Sequence, residues 1–228
     1  MRKIQFVNNE YYHVFNKCID ESLVFQDRSD YLKFLKNLKD LNNYSLYEQR
    51  QKIIESGGFK ELSSFLTREE RVVDIISYSL SPNHYHFILK QLRDWGISKF
   101  MHKIGVSYTN RFNKKYGRAG SIFQGPFKAI YIDTNEYLLW LCGYVNGNIE
   151  IHKTSTAQDY EWSSYRHLLS LEKSDIIKDA SIILSQFSTI DNFINFVNKV
   201  IKESRERKDL KKYLLESSKE LSSFSKGT

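Results

Sequence analysis

Residues 71–90 constrain the fold more than any other part of the chain. Val72, Val73, Ile75, Ile76 and Tyr78 form one β-rich run, and His84 to Lys90, with Phe87, Ile88 and Leu89, forms another. Ser81-Pro82-Asn83 between them is a turn signal, so the segment predicts a hairpin. The flanks complete an order around it. Phe6, Val7, Tyr11, Tyr12, Val14 and Phe15 predict a first strand within residues 4–16. Ser29-Asp30 starts a helix that carries Tyr31, Phe34, Leu35, Leu38 and Leu41 at helical spacing. Residues 43–70 are polar, contain Gly57-Gly58 and read as an insertion with short helical pieces.

After the hairpin, Ile97, Phe100, Met101, Ile104 and Tyr108 line one face of a helix over 97–116, which Gly117-Arg118-Ala119-Gly120 ends. Residues 127–132 read as a fourth strand. Asp133-Thr134-Asn135-Glu136 then caps a helix that runs to about Asn148. The order β-α-β-β-α-β-α predicts an α+β fold of the ferredoxin-like, split βαβ kind: one antiparallel sheet with helices on one face. Residues 175–228 are mostly helical, with a stripe of Ile176, Ile177, Ile183, Leu184 and Phe187. The expected organisation is a domain over 1–170 and a helical C-terminal extension over 171–228.

With 228 residues, 41% of them hydrophobic, the chain fills a core of ordinary size. The uncharged run over 137–149 is too short to span a bilayer, and the basic N-terminus has no apolar run behind it, so no secretory signal and no membrane partner are expected. Cys18 and Cys142 lie far apart, which excludes a disulfide scaffold and makes a reducing cytoplasm the simplest home. Net charge is +7, but its distribution matters more. Residues 90–130 hold nine basic residues and one acid, Asp94, while the rest of the chain is close to neutral. A field of that kind faces a polyanion, with a solvated helix face as the bland alternative. Lys103, Arg111, Lys114, Lys115, Arg118 and Lys128 are its candidate contacts, and Tyr108, Phe112 and Tyr116 are interleaved as stacking groups or core residues.

His84-Tyr85-His86 is the sharpest local feature. Residues i and i+2 of a strand project on one face, so both imidazoles point to one place, where they can hold a divalent metal. An incidental pair is as common, and a metal site needs a third ligand and a reacting group. Tyr144 and Asn148 are i and i+4 on the last helix of the core and share a face. A tyrosine there can attack a metal-polarised phosphate, and the asparagine can offer its amide oxygen. With fifteen tyrosines in the chain, a plain packing role for Tyr144 stays open on this reading.

Tyr78-Ser79-Leu80-Ser81-Pro82-Asn83-His84-Tyr85-His86-Phe87-Ile88-Leu89 resembles the P-N-H-hydrophobic-H signature of the HUH single-tyrosine transposases. Tyr108-Thr109, Phe112 to Arg118, Phe123-Gln124-Gly125, Ile132-Asp133, Glu136-Tyr137-Leu138, Tyr144-Val145-Asn146-Gly147-Asn148 and Trp162-Ser163-Ser164-Tyr165 follow in the order of the same group. Over about residues 5–170 the chain is similar to the IS200-like family, and most of all to its REP-associated tyrosine transposases. The resemblance implies a ferredoxin-like nuclease that nicks and joins single-stranded or hairpin DNA through a 5′-phosphotyrosyl intermediate. It implies Tyr144 as nucleophile and His84, His86 and Asn148 as holders of Mg²⁺ or Mn²⁺, the two imidazoles favouring Mn²⁺. It also implies monomers or a homodimer with the tyrosine donated between subunits.

Among the later tyrosines, Tyr137 sits near the acids Asp133 and Glu136, which oppose ionisation of a phenol, whereas Tyr144 shares its face with Asn148. Ile149 stands where the family has proline, and Pro126 replaces a usual basic residue. His13, after Tyr12, falls where the family often has a Tyr-His pair, with a place near the site or a packing role both open. The alternative function is a domesticated hairpin DNA- or RNA-binding protein that no longer cuts. An RRM-like module shares the element order but lacks the expected aromatic-rich strand.

Overall fold

The computed structural model describes residues 4–43 and 71–224. The insertion expected over 43–70 therefore lies outside the described residues, apart from Asn43. Strand β1 (Tyr11–Lys17) leads to helix α1 (Arg28–Asp40), then the hairpin β2 (Val73–Ser81) and β3 (His84–Gln91). Helix α2 (Gly96–Tyr116), strand β4 (Lys128–Ile132) and helix α3 (Asn135–Ile151) follow. Two short helical turns, α4 (Tyr165–Leu168) and α5 (Ser181–Leu184), precede the long α6 (Ile190–Phe224). The sheet order is β2-β3-β1-β4 with every pair antiparallel, which is the split βαβ arrangement expected. Both cysteines are free and buried, and among the described residues no helix is long and apolar enough to cross a membrane.

Local signals set the helix ends. Asp27 caps α1 in a reciprocal capping box with Asp30, satisfying two otherwise orphaned backbone donors. Thr134 caps α3 by accepting from the Tyr137 amide. Gly117, at φ 63°, closes α2 in the left-handed conformation that glycine adopts at least cost.

Strand alternation then divides the sheet into two unlike faces. Tyr12, Val14, Tyr85, Phe87 and Leu89 point one way and pack with Phe34 and Leu38 of α1 and Phe100, Ile104, Tyr108 and Phe112 of α2. Tyr108 and Phe112 are buried in this core, so they are not available for base stacking. The other face carries Ile88 and Ile132. A register shift between Ile75 and Ser77 adds Ile76 to their cluster. Leu138, Leu141 and Val145 of α3 cover these residues, joined by Phe193, Val197 and Ile201 of α6. Helices on one face therefore describes α1 and α2 alone. The face bearing Ile76, Ile88 and Ile132 needs a cover of its own, and α3 with α6 behind it supplies that layer.

The contact between α3 and α6 is close because α3 turns two glycines toward α6. A Cβ built on Gly147 falls 2.4 Å from Ile201 Cγ1, and one on Gly143 falls 3.0 Å from Val200 Cγ2. Arg205 of α6 donates from Nε (3.1 Å) and Nη2 (2.5 Å) to the Glu150 carbonyl, satisfying a backbone acceptor in the last turn of α3. The C-terminal helix thus presses α3 onto the sheet.

Candidate active site

The face under α3 is polar where the opposite face is aromatic. Register pairs Ser81 with His84, Ser79 with His86, and Ser77 with Ile88, so three serines of β2 and both histidines of β3 share it. Two of these serines, Ser77 and Ser81, pin the helix, while the Ser79 hydroxyl has no hydrogen-bond partner among the described residues. Asn146 donates to Ser77 Oγ at 3.0 Å and accepts from Ser164 Oγ at 2.7 Å, and Ser81 donates to Asn148 Oδ1 at 2.9 Å. These bonds hold the rotation and register of α3, which apolar packing alone would leave looser. Asn146 and Asn148 are fully buried.

Held this way, Tyr144 and Asn148 meet the histidine pair. The rings of Tyr144 and His86 stand edge to face with centroids 5.6 Å apart, and those of His84 and His86 do the same at 5.1 Å. Trp140, one turn before Tyr144, stacks on its ring at 5.5 Å. His84 Nε2 lies 3.0 Å from Asn148 Oδ1. The structure therefore brings together all four residues named for the centre: Tyr144, His84, His86 and Asn148.

A cleft of about 460 Å³ opens beside the two histidines, lined among others by Phe15, Lys17, His84, His86, Gln124 and Lys128, while Tyr144 and Asn148 lie behind its lining. Of the six basic candidates only Lys128 lines it. Lys103, Arg111, Lys114 and Lys115 lie on α2, which packs against the other face, with Arg118 just beyond its end. Lys115 is engaged there: its ammonium bonds Asp27 Oδ2 at 2.6 Å and Asp30 Oδ1 at 2.8 Å and ties the end of α2 to the start of α1.

Burial sets the protonation states. It lowers the pKa of His84 and His13 to about 4 and holds His86 well below the ordinary histidine range, so all three are neutral at pH 7. Burial raises the Tyr144 phenol, and the nearby Asn148 amide opposes the rise. The competing tyrosines are placed differently. Tyr116 donates to Asp30 and Tyr131 to Glu10, while burial and Asp133 raise Tyr137.

The donor set fits a divalent cation. His84 lies between two amide oxygens, Asn83 Oδ1 at 2.7 Å from Nδ1 and Asn148 Oδ1 at 3.0 Å from Nε2, and a neutral imidazole donates to only one of them; with the proton on Nδ1, at the shorter contact, Nε2 keeps a lone pair. In that tautomer the lone pair and Asn148 Oδ1 face each other as two acceptors, an arrangement that a cation between them would relieve. Adjacent ligands about 2.1 Å from an octahedral ion lie about 3.0 Å apart. Among the described residues no three His, Cys, Asp or Glu side chains are grouped to hold a metal, so the amide oxygen is needed to complete a set of three.

The sequence reading did not single out Ser77, Ser81 or Lys17. The serines had a signal: Ser77, Ser79 and Ser81 recur at period two in a strand that otherwise reads as apolar. Lys17 had none, since it lies far outside the basic stretch.

The family model described as IS200-like transposase matches residues 45–148. No curated protein matches the chain. A REP-associated tyrosine transposase bound to a REP hairpin has a similar structure, with a TM-score of 0.51 and 12% identity over 79% of this chain and 94% of that one. A candidate transposase from Deinococcus radiodurans R1 aligns over 68% of this chain and 99% of that one, with 10% identity and a TM-score of 0.34. The chain thus resembles the IS200-like transposases in sequence over residues 45–148 and shares its fold with a REP-associated tyrosine transposase, which supports a transposase function.

Proposed function

We propose that the protein is a metal-dependent transposase that nicks and rejoins single-stranded DNA, with Tyr144 as the nucleophile. The observation that carries this reading is the convergence of Tyr144 and Asn148 from α3 on His84 and His86 from β3, with His84 and Asn148 64 positions apart in the chain. We read residues 1–170 as the nuclease unit and residues 171–228 as its extension, with α6 buttressing the helix that bears the nucleophile.

Lys17 and Lys128 receive the phosphate backbone at the cleft, and the buried serines keep α3 fixed as the strand enters. The Tyr144 oxygen attacks phosphorus and the bond from phosphorus to the 3′ oxygen breaks. The phenolic proton passes to solvent, and the departing 3′ oxygen takes up a proton to become a 3′-OH. The DNA 5′ phosphate is then esterified to Tyr144, and attack by a 3′-OH reverses the step and joins ends. Interaction with Asn148 helps the buried phenol give up its proton. A divalent ion held by His84, His86 and Asn148, Mn²⁺ or Mg²⁺, would supply positive charge beside the phosphate oxygens. The REP-associated protein of similar fold is bound to a REP hairpin, so a hairpin with a single-stranded flank is the first substrate to offer.

Incubating the chain with such an oligonucleotide and Mn²⁺ should give a denaturation-resistant adduct. Peptide mapping should place the nucleotide on Tyr144, and Tyr144→Phe should keep DNA binding but lose the adduct. An adduct in Tyr144→Phe, or one mapped to Tyr131 or Tyr137, overturns the assignment.

A further inference from the structure

His13 of β1 lies against this centre with no part in the mechanism above. It is buried, and its Nε2 is 2.9 Å from Nδ1 of His86. Register explains the contact. Phe15 pairs with His86 across β1 and β3, so His13, two residues earlier on the same face, is diagonal to His86. The two imidazoles stack at 5.1 Å with an interplanar angle of 18°. The Phe15 ring stacks on both, 4.9 Å from His13 and 5.7 Å from His86, so the rings support one another's orientation.

A neutral imidazole has one N–H and one lone pair, and in a contact between two ring nitrogens one donates and the other accepts. If His86 accepts at Nδ1, its proton sits on Nε2 and that nitrogen cannot bind a metal. If His86 donates from Nδ1, Nε2 keeps its lone pair. We propose that His13 is a positioning residue that accepts from His86 Nδ1–H and so locks His86 as the tautomer whose Nε2 is a metal ligand. The inference rests on the metal reading of the site. His84 has the same arrangement, with Asn83 Oδ1 in the role of His13. Each of the two histidines therefore has its Nδ1 occupied by a neighbouring acceptor, one from the turn before β3 and one from β1. Outer partners of this kind fix ring orientation and tautomer in metal sites generally.

Long-range proton–nitrogen spectra of the metal-free full chain, labelled with ¹⁵N-histidine, read the tautomer directly. The proposal expects His86 to carry its proton on Nδ1. His13→Phe keeps a ring in the stack but offers no acceptor, so His86 should lose its single tautomer and Mn²⁺ affinity should fall by about 10–100-fold. His13→Gln puts an amide oxygen near the lost nitrogen and should restore both the tautomer and most of the affinity, which a purely space-filling role does not predict. A wild-type His86 protonated on Nε2 overturns the proposal even if no variant folds. So does a His13→Phe protein with unchanged tautomer and affinity. A correct wild-type tautomer together with His84 and His86 signals that Mn²⁺ fails to broaden overturns the metal reading instead, and with it the purpose of the lock.

Discussion

The two faces of one sheet are built by different rules. Under α1 and α2 the strands present Tyr12, Val14, Tyr85, Phe87 and Leu89 to Phe34, Phe100, Tyr108 and Phe112, and aromatic rings supply much of the contact. Under α3 the same strands present Ser77, Ser81, His84 and His86, and helix and sheet are joined by hydrogen bonds as well as by Ile88, Leu141 and Val145. The difference teaches where stability and chemistry reside. An apolar face tolerates some sliding and fixes position by shape. A face that must hold a phenol, two imidazoles and an amide in one geometry needs directional bonds, and each buried polar group there is costly if left unsatisfied.

Acid should break the comparison most. His13, His84 and His86 are all on the polar face and all are kept neutral by burial. In the unfolded chain they protonate near pH 6.5, while His13 and His84 in the folded chain resist until about pH 4 and burial likewise holds His86 well below its ordinary range. The unfolded state therefore binds more protons over this window, and stability falls as pH drops from 6.5 toward 4. Each such group costs up to about 1.4 kcal/mol per pH unit, so three cost up to about 4 kcal/mol per unit. Urea unfolding at intervals from pH 7.5 to 4.5 measures the slope, and His13→Gln should reduce it by about a third. Flat stability between pH 7 and 5 would contradict the burial of this cluster.

The apolar face should answer to size instead. Phe34 is fully buried and packs against the rings of Phe25, Tyr85, Phe87 and Tyr108. Phe34→Ala should cost about 3–5 kcal/mol, and the loss should stay nearly the same from pH 7.5 to 5.5. An energy loss that grows steeply with acid would mean that the two faces are coupled rather than separate.

The same division explains what could be read from sequence. The hairpin, α1, α2 and the element order were legible because burial of one face imposes period two on strands and 3.6 on helices, as in Val72 to Tyr78 and Ile97 to Tyr108. The histidine pair and the Tyr144–Asn148 pair were legible because their spacing puts each pair on one face. The second helical layer was not, because a helix such as α3, buried by the sheet on one side and α6 on another, shows no clean polar face. Nor were the serine pins, the cleft lysine Lys17 or the contact of His13 with His86. Each depends on which residues lie opposite one another across strands, and register comes from long-range pairing.

The smallest effect separates the basic residues. Charge counting places the polyanion surface in residues 90–130, but the fold puts Lys128 with Lys17 at the cleft and leaves Lys115 bonded to Asp27 and Asp30 behind the opposite face. Each lysine that neutralises a phosphate adds about 0.7 to the slope of log affinity against log salt on a single strand. Lys17→Gln with Lys128→Gln should therefore flatten that slope by about 1.4 in titrations of a labelled oligonucleotide from 50 to 300 mM salt. Lys115→Gln should leave the slope unchanged, because its ammonium already has two carboxylate partners. If Lys115→Gln flattens the slope as much as the cleft pair, the ammonium exchanges its carboxylates for phosphate and the α2 face binds DNA as well. If the cleft pair leaves the slope untouched, the strand does not cross the cleft, and the path of DNA to Tyr144 must be sought elsewhere.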